Sequence, residues 1–279
     1  MLSMPLVSVI IPVYNRRNII DETISSVLNQ DYENIEIIIS DNCSSDGTFE
    51  HLLSHYGSDK RFLLLQNKEN FGPVENWKAC LKHCKGKYTK ILWSDDKITE
   101  NFVSLFVQVL ENNDDVAFCI SNVNLFDETF NRPAIVFDKP SFVTKKQYMH
   151  SLFCDIKMPK SPGCALLRTK DIVIDDRIDN FFKIDHYRTG AGIDSRIYLN
   201  ALLPNEYKKV YVSPACCSYF REHKGSITVQ NDLIMREYYV SDLDFILRHN
   251  LDKEFAVKMF PKIIRFEKKH FEKKASKIY

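Results

Sequence analysis

Short aliphatic runs alternate with stretches of helical periodicity through the first hundred residues. The predicted strands cover residues 6–11, 35–39, 62–65 and 90–93, and the predicted helices between them cover residues 18–29, 46–55 and 74–84. Apolar side chains recur at helical spacing in the helices but run continuously in the strands. Continuous aliphatic strands are typical of a parallel sheet covered on both faces. The pattern therefore predicts an α/β fold with a mostly parallel sheet flanked by helices.

The pattern becomes mixed beyond about residue 100. A helix is predicted at residues 102–110 and a strand at 116–121, followed by an irregular region with short antiparallel strands at 126–140. Further helices are predicted at residues 145–153, 194–203, 232–248 and 253–274. We therefore expect one continuous domain at residues 1–230, with halves at 1–100 and 101–230, and a C-terminal helical appendage at 231–279.

Polar loops follow three of the predicted parallel strands. They cover residues 12–16, 41–47 and 94–97. Ligands of open parallel sheets bind beyond the carboxyl ends of the strands, so a binding site is expected at these loops. Pro12, Tyr14 and Asn15 belong to the first loop. The flat ring of Tyr14 offers a stacking surface for a nucleotide base.

Asp41 and Asn42 follow the second predicted strand. The Asp41 carboxylate can accept a hydrogen bond from the N3–H group of uracil or thymine, which favours a uridine or thymidine nucleotide. The alternative is structural, because an aspartate there can cap a helix or form an Asx turn that leads into residues 44–47. The sequence leaves both interpretations open.

An acidic turn, Ser94-Asp95-Asp96, follows the fourth predicted strand. Adjacent carboxylates repel each other, so such a pair requires a cation or a structural reason. Carboxylate oxygens suit Mn²⁺ or Mg²⁺ held jointly with a diphosphate. Such a cation neutralises the charge that develops on a leaving nucleoside diphosphate. The turn therefore predicts a metal site at Asp95 and Asp96, next to a donor nucleotide.

The composition excludes several classes of function. The 38 Lys and Arg residues nearly balance the 37 Asp and Glu residues, so no global field favours nucleic acid as a partner. No apolar run reaches the about 18 residues that a membrane span needs. The first residues lack the charged segment and cleavage site of a secretory signal. We therefore expect a cytoplasmic protein.

The cysteines and the basic C-terminal segment each allow two interpretations. The eight cysteines are expected to be reduced thiols, and a zinc site built from Cys80, Cys84, Cys216 and Cys217 is the alternative. Residues 258–277 combine many lysines with apolar side chains. They are expected to form a helix that packs on the domain, or else one that contacts anionic lipid at the inner face of the membrane.

Several segments of the N-terminal half, in order, resemble glycosyltransferases of family 2, which have the Rossmann-like GT-A fold. They are residues 7–15 (VSVIIPVYN), 25–30 (SSVLNQ), 36–48 (EIIISDNCSSDGT), 70–72 (NFG) and 86–88 (GKY), and the strand that ends in Asp95-Asp96. The resemblance implies a nucleotide-sugar donor, a Mn²⁺ or Mg²⁺ cofactor and transfer with inversion. It makes residues 1–100 the nucleotide-binding half and residues 101–230 the acceptor half of a catalytic domain.

The resemblance continues in the second half. Residues 163–168 (GCALLR) are similar to the family's acceptor-side loop, and the acid that opens a helix at Asp194 matches the family's general base. Residues 219–228 (YFREHKGSIT) are similar to the closing motif of the family. This similarity implies that Arg221 contacts the diphosphate and that His223 contacts the diphosphate or the metal. On physical grounds alone, an acid at a helix start is also a favourable partner of the helix dipole.

Two residues depart from the family pattern. Trp93 stands where the family commonly carries an acid two residues before the metal-binding Asp, and Ile193 replaces the first acid of the pair that ends in Asp194. The first departure leaves open which of Asp95 and Asp96 faces the metal.

The sequence thus predicts a glycosyltransferase that moves a sugar from a UDP- or dTDP-sugar to a glycan or lipid-linked acceptor. The product class is a cell-surface polysaccharide such as a capsule or lipopolysaccharide. A nucleotidyltransferase on a similar sheet is one alternative, but no glycine accompanies Arg16-Arg17 to hold a triphosphate. A non-catalytic nucleotide-sugar-binding scaffold is the other alternative, and Trp93 and Ile193 are its support.

Overall fold

The computed structural model describes residues 4–154, 158–177, 189–204, 208–223 and 234–275. Its strands are β1 (Val7–Val13), β2 (Ile35–Asp41), β3 (Phe62–Gln66), β4 (Tyr88–Ile91), β5 (Lys97–Ile98), β6 (Val116–Phe126), β7 (Asn131–Ile135), β8 (Ser141–Thr144), β9 (Ala165–Arg168) and β10 (Lys209–Arg221). Its helices are α1 (Ile20–Leu28), α2 (Thr48–Tyr56), α3 (Pro73–Leu81), α4 (Phe102–Asn112), α5 (Lys145–Phe153), α6 (Ile193–Leu202), α7 (Ile234–Arg248) and α8 (Lys253–Ala275).

A single twisted sheet connects the two halves of the chain. Its strand order is β3-β2-β1-β4-β9-β6-β10-β5, with β7 beside β6 and β8 beside β10. The strands β3, β2, β1 and β4 are parallel. Along β1, Ile10 joins one hydrophobic cluster whereas Val9 and Ile11 join the other, which explains the continuous aliphatic run. The predicted α/β fold is confirmed, with its parallel order in the first half and mixed order beyond β4.

Some strand boundaries differ from the sequence prediction. β1 continues through Pro12 to Val13, whereas the sequence analysis ended the strand at residue 11. The proline is tolerated because β1 pairs with β4 only as far as Ile10, so no N–H donor is needed on that side at Pro12. β4 ends at Ile91 and not at Trp93, which therefore belongs to the loop.

The second half contains three strands that were not predicted from the sequence, namely β8, β9 and β10. β9 begins inside the segment expected to be a loop, and β10 forms a 13-residue strand at Lys209–Arg221. The pairing of β10 with β6 shifts register around Ser213, Cys216 and Ser218. These irregularities break the alternation of side chains that marks a strand in sequence.

Helices α7 and α8 pack side by side behind the second half of the sheet. Phe255 and Met259 of α8 are buried, and the Phe255 ring lies 5.1 Å from that of Phe153 in α5. Lys262 Nζ donates to the Phe153 carbonyl (2.8 Å). In the described ranges, no helix has the length and apolarity to cross a membrane.

All eight cysteines lie in described ranges and carry free thiols, as predicted. Burial raises the pKa of the Cys80 and Cys119 thiols, which keeps them protonated and unreactive. Among the residues that the structure describes, no group of three or more His, Cys, Asp or Glu side chains is arranged to hold a metal ion. The zinc alternative therefore has no support in these ranges.

Candidate active site

The loop after β1 is held against the loop after β2. The Asn15 N–H donates to Ser44 Oγ (2.8 Å), and Asn15 Oδ1 accepts from the Ser45 N–H (2.9 Å). Asn15 has a φ of 53°, a left-handed conformation that asparagine adopts more readily than most residues. The Tyr14 side chain is left 42% exposed, with Pro12 buried in β1 behind it. Tyr14 is thus displayed at the carboxyl end of the strand, as a stacking residue requires.

Asp41 makes the local contacts of a polar turn. Its carboxylate is fully buried and accepts hydrogen bonds from the Ser44 N–H (2.9 Å) and the Ser44 hydroxyl (2.5 Å). Gln66 Nε2 lies 3.4 Å from the same carboxylate. The structural alternative considered for Asp41 is therefore present in the fold, and a contact with a nucleotide base stays a prediction.

The Asn42 side chain is hydrogen-bonded to the loop between β3 and α3. Its Nδ2 group donates to Asn70 Oδ1 (2.7 Å), and its Oδ1 accepts from Asn67 Nδ2 (2.9 Å). Asn67 Nδ2 also donates to Asn76 Oδ1 (3.1 Å), and Asn76 Nδ2 donates to the Ser40 carbonyl (2.9 Å). These amides form one hydrogen-bond network, in which Asn42 and Asn76 are buried. Asn42 thus has a structural role at the edge of the predicted nucleotide site.

The two carboxylates of the acidic turn have different environments. Asp96 is 4% exposed, and its Oδ1 accepts from the backbone N–H of Arg221 (2.9 Å). Burial, together with the negative charge of Asp95, raises the pKa of Asp96 well above its ordinary value. Asp95 is more open, with Oδ2 lying 2.9 Å from His223 Nε2 and 3.6 Å from Arg16 Nη2. Asp95 and His223 are thus the pair that could meet a cation or a diphosphate, whereas Asp96 anchors β10 to the turn.

The Arg221 side chain is hydrogen-bonded to both the acidic turn and helix α1. Its Nη2 donates to Glu22 Oε2 (2.7 Å), its Nε donates to the Asp95 carbonyl (3.2 Å), and its guanidinium lies over the Phe126 ring. Burial raises the pKa of Glu22, but hydrogen bonds from Lys97 and Arg221 outweigh it and lower that pKa overall. Glu22 was not predicted as a site residue, because an acid in the first turn of a helix usually interacts with the helix dipole.

Trp93 and Ile193, the two departures from the family pattern, lie in one small hydrophobic cluster. Ile193 is buried there with Trp77, and Trp93 packs against them. The Trp77 and Trp93 ring centroids are 5.1 Å apart, and Trp93 Nε1 donates to Ser161 Oγ (2.8 Å). Ser94, which follows, is 8% exposed in the turn. This cluster joins the acidic turn to the start of α6, and an acid at either position would enter apolar surroundings.

Asp194 is buried at the first turn of α6. Its Oδ1 accepts from the N–H groups of Gly192 (3.1 Å) and Ser195 (2.8 Å), and its Oδ2 accepts from the Tyr238 hydroxyl (2.7 Å). Burial raises the pKa of Asp194 to about 7, against the lowering effects of these hydrogen bonds and of Lys160. A carboxylate with a pKa near neutrality is suited to take a proton. Tyr238 was missed, since no local pattern links α7 to a residue so distant in sequence.

A buried lysine connects β4 to the segment before β9. Lys90 is fully buried, its Nζ donates to the Gly163 carbonyl, and it lies 4.5 Å from the centroid of the Phe102 ring. Burial lowers the pKa of Lys90 to about 8. A Cβ at Gly163 would lie 2.9 Å from Trp93 Nε1, so a glycine is required for this close approach. Lys90 was missed because a single lysine in a strand suggests an exposed position.

A large cavity adjoins the Arg221 contacts with Glu22 and Phe126, between α1, β5 and the turn that joins β6 to β7. Its volume is about 1070 Å³, and its walls carry five carboxylates against one lysine, namely Asp21, Glu22, Asp31, Glu100 and Asp127 against Lys97. Such walls repel an anionic nucleotide. The nucleotide site is therefore to be sought at the strand ends, where Tyr14 and Asp95 lie.

The fold is that of the GT-A glycosyltransferases. It superposes on Staphylococcus aureus TarS 1–349, solved in complex with UDP-GlcNAc, with a TM-score of 0.66 over 94% of this chain and 72% of that chain. The two sequences are 19% identical, so this likeness shows the fold alone.

The family model described as Glycosyl transferase family 2 matches residues 8–174, more than half of the chain. The chain therefore belongs to glycosyltransferase family 2. An uncharacterised glycosyltransferase of Haemophilus influenzae is 40% identical over 112 residues, which are 40% of this chain and 35% of the relative. The abequosyltransferase RfbV of Salmonella typhimurium is 34% identical over 118 residues, covering 41% of this chain and 35% of that protein. The chain thus matches about a third of the length of these relatives, and the family prediction is confirmed.

Proposed function

We propose that this protein is an inverting glycosyltransferase that moves a sugar from a nucleoside diphosphate sugar to a glycan or lipid-linked acceptor. Its product is a cell-surface polysaccharide of the capsule or lipopolysaccharide kind. The observation that carries this proposal is that the partly exposed Asp95–His223 pair and the buried Asp194 carboxylate, with a pKa of about 7, are joined by the hydrophobic cluster of Trp93 and Ile193. Family membership supports the same reaction.

The donor lies at the carboxyl ends of the parallel strands. Tyr14 stacks on the base, and Asp41 meets a uracil or thymine, so UDP- and dTDP-sugars are the favoured donors. Arg16 and Arg221 supply positive charge beside Asp95, which supports the binding of a diphosphate there. Asn15, Asn42 and Ser94 shape the loops around the nucleotide.

A Mn²⁺ or Mg²⁺ ion bound with the diphosphate supplies charge neutralisation of the leaving group. Asp95 and His223 would hold it from the protein side, and phosphate and water oxygens would complete its coordination. One carboxylate and one imidazole fit Mn²⁺ better than Mg²⁺, which prefers oxygen ligands alone. Asp96 would contribute indirectly, because its carboxylate is buried and already accepts from the Arg221 backbone.

Asp194 acts as the general base. The acceptor hydroxyl loses its proton to Asp194 Oδ2 while its oxygen forms a bond to the anomeric carbon. The bond between that carbon and the diphosphate oxygen breaks, and the electron pair leaves with the nucleoside diphosphate. Attack opposite the leaving group inverts the anomeric centre. The pKa of about 7 lets Asp194 be ionised before the reaction and accept the proton during it.

Neither alternative function gains support at this site. The scaffold alternative depended on Trp93 and Ile193, and their common cluster with Trp77 gives both residues a packing role that does not require lost catalysis. The nucleotidyltransferase alternative needs a glycine-rich loop after β1, and that loop instead carries Tyr14 and Asn15.

The test uses purified protein with Mn²⁺ and a panel of UDP-glucose, UDP-N-acetylglucosamine and dTDP-glucose. We expect at least one donor to raise the melting temperature and to release its nucleoside diphosphate. Asp95→Ala should lower that release about 100-fold or more, because a Lewis acid contributes several kcal/mol. Asp194→Asn should keep donor binding and lose transfer. Asp31→Asn, which alters an exposed carboxylate of the cavity beside α1, is the control.

Two outcomes would count against the proposal. If no donor binds or is turned over, the enzyme assignment fails. If Asp95→Ala binds and processes the donor like the unaltered protein, the metal and diphosphate site is not at this turn. Comparison with Asp96→Asn, expected within about tenfold of the unaltered protein, separates the two carboxylates.

Contact with an anionic membrane surface is a further part of the proposal. The outer face of α8 exposes Val257, Phe260 and Ile264, with Lys258 and Arg265 exposed beside them. An amphipathic helix with this composition is suited to lie at a lipid headgroup surface. This position, at the inner face of the membrane, would bring a lipid-linked acceptor close to the catalytic domain.

A further inference from the structure

Helix α7 supplies a contact to the proposed base from outside the sheet domain. Two backbone N–H groups at the start of α6 hold Asp194 Oδ1, and the Tyr238 hydroxyl holds Oδ2 at 2.7 Å. A carboxylate offers about four lone-pair sites, and the described residues occupy three of them. Among these residues, the site without a partner is the second one on Oδ2, beside the Tyr238 hydroxyl.

Buried polar contacts fix α7 in place. Arg196 is fully buried on α6, and its guanidinium donates to Ser241 Oγ (2.8 Å) and Asp244 Oδ2 (2.6 Å) of α7. Lys160 Nζ lies 2.7 Å from Asp242 Oδ2, which is also fully buried. Buried charges are tolerated only when their partners are held in good geometry, so α7 cannot shift freely on α6. Tyr238 is therefore presented to Asp194 from a rigid support.

We propose that Tyr238 is a positioning residue for Asp194, and that α7 is consequently a wall of the catalytic site and not an appendage to it. This inference rests on the proposed function, in which Asp194 is the general base. The Tyr238 hydroxyl orients the carboxylate and occupies one lone pair of Oδ2, which leaves the second for the proton of the acceptor hydroxyl. It also stabilises the ionised carboxylate, because a hydrogen bond to the charged form favours that form.

Within the described ranges, the charged and titratable groups around Asp194 and Tyr238 come from three parts of the chain. Tyr238, Glu237 and Asp242 belong to α7, Tyr198 belongs to α6, and Lys160 comes from the segment before β9. Burial raises the pKa of the Tyr238 phenol well above its ordinary value, so this residue remains a proton donor across the working range. Its own titration therefore does not compete with that of Asp194.

The experiment compares Tyr238→Phe with Tyr239→Phe, the neighbouring tyrosine of the same helix. The donor that gives the fastest nucleoside diphosphate release in the panel above serves as the probe. We measure kcat and KM between about pH 5.5 and about pH 9.5, a range that brackets the midpoints expected for the unaltered protein and the variant. Loss of a hydrogen bond to an ionised group should move the acidic midpoint of the kcat/KM profile upward by about one pH unit. The rate at neutral pH should fall about fivefold, recover above pH 9 and leave the donor KM unchanged.

The matched control should keep the profile of the unaltered protein. Tyr239→Phe removes a hydroxyl from the same helix while its ring still packs near Phe266. Thermal unfolding of both variants shows whether the fold is retained, as expected for substitutions that keep the aromatic ring.

Two results would overturn the inference while leaving the proposed function intact. A Tyr238→Phe variant with an unchanged midpoint, whether its rate is normal or uniformly reduced, would give Tyr238 a structural role only. A variant whose donor KM rises while the midpoint stays fixed would place Tyr238 in donor binding instead. By contrast, full transfer by Asp194→Asn would remove the base itself, and with it the proposed mechanism.

Discussion

At the scale of single residues, the site is built from groups whose burial opposes their charge. Asp194 and Asp96 are carboxyls with raised pKa values, and Lys90 is an ammonium with a lowered pKa. Each of these pKa shifts means that burial in the folded protein raises the free energy of the charged form relative to the neutral form. Catalytic residues commonly have such perturbed pKa values, because they must be desolvated and reactive even where this lowers the stability of the fold.

Asp194→Asn should make the protein more stable at alkaline pH. The folded-state pKa of about 7 lies above the ordinary value of 3.8, so between about pH 4 and 7 the folded state holds a proton that the unfolded chain has lost. Stability therefore falls as pH rises through this window, and the amide removes that slope. Urea unfolding at pH 8 should show a gain of a few kcal/mol, on the order of the pKa shift.

At pH 5, the gain in the free energy of unfolding of Asp194→Asn should be smaller than at pH 8. The control Asp31→Asn should change the free energy of unfolding by less than about 0.5 kcal/mol at either pH. A variant less stable than the unaltered protein at pH 8 would mean that the Asp194 charge is well satisfied in the fold.

At the scale of secondary-structure elements, α7 has a polar buried face. Glu237, Ser241, Asp242 and Asp244 are all buried, although a helix that packs on a domain usually buries apolar residues. Their partners come from other elements, such as Arg196 on α6 and Lys160 before β9. Hydrophobic periodicity could therefore locate this helix but could not reveal what it contacts.

Arg196→Met should destabilise the protein by about 3 kcal/mol, because it leaves Asp244 buried with a weakened set of partners. This loss of stability is at the lower end of the range for removing one partner of a buried ion pair, because Arg248 also contacts Asp244 (3.1 Å). Arg248→Met, at the partly exposed end of the network, should cost less than about 1 kcal/mol. Urea unfolding of both variants provides the comparison, and equal costs would contradict a dominant role for Arg196.

At the scale of the whole molecule, the sheet lies between two hydrophobic clusters, and α8 attaches to one of them. Phe255 and Met259 face inward, whereas Val257, Phe260 and Ile264 are between 51% and 66% exposed. Contiguous exposed apolar residues on a basic helix favour an interaction surface. The proposed membrane contact therefore uses the exposed face of α8, opposite the buried Phe255 and Met259.

Sedimentation with lipid vesicles checks this surface. The protein should bind vesicles that contain phosphatidylglycerol and not vesicles of phosphatidylcholine alone, and added salt should weaken the binding. Replacing Val257, Phe260 and Ile264 by serine should abolish most of it. Phe142→Ser, at an exposed position on β8, is the control. Equal binding to neutral vesicles, or no effect of the triple substitution, would contradict the proposal.

The sequence by itself determined the features that depend on neighbours along the chain. Aliphatic strands and amphipathic helices set the α/β fold, and the strand-end loops with Tyr14, Asp41 and Asp95 followed from it. Asp194 was located by its motif, and α5 was predicted at the residues it occupies. These features are local because hydrophobic periodicity and turn chemistry act over a few residues.

Only the tertiary structure decided how those residues divide their roles. It buried Asp96 and left Asp95 beside His223, 128 positions away, and it brought Tyr238 to Asp194 across 44 positions. It also placed Trp93 and Ile193 in one hydrophobic cluster, so the two departures from the family pattern are explained by side-chain packing. Burial and long-range hydrogen bonds depend on which elements meet in space, and no local pattern in a single sequence encodes that.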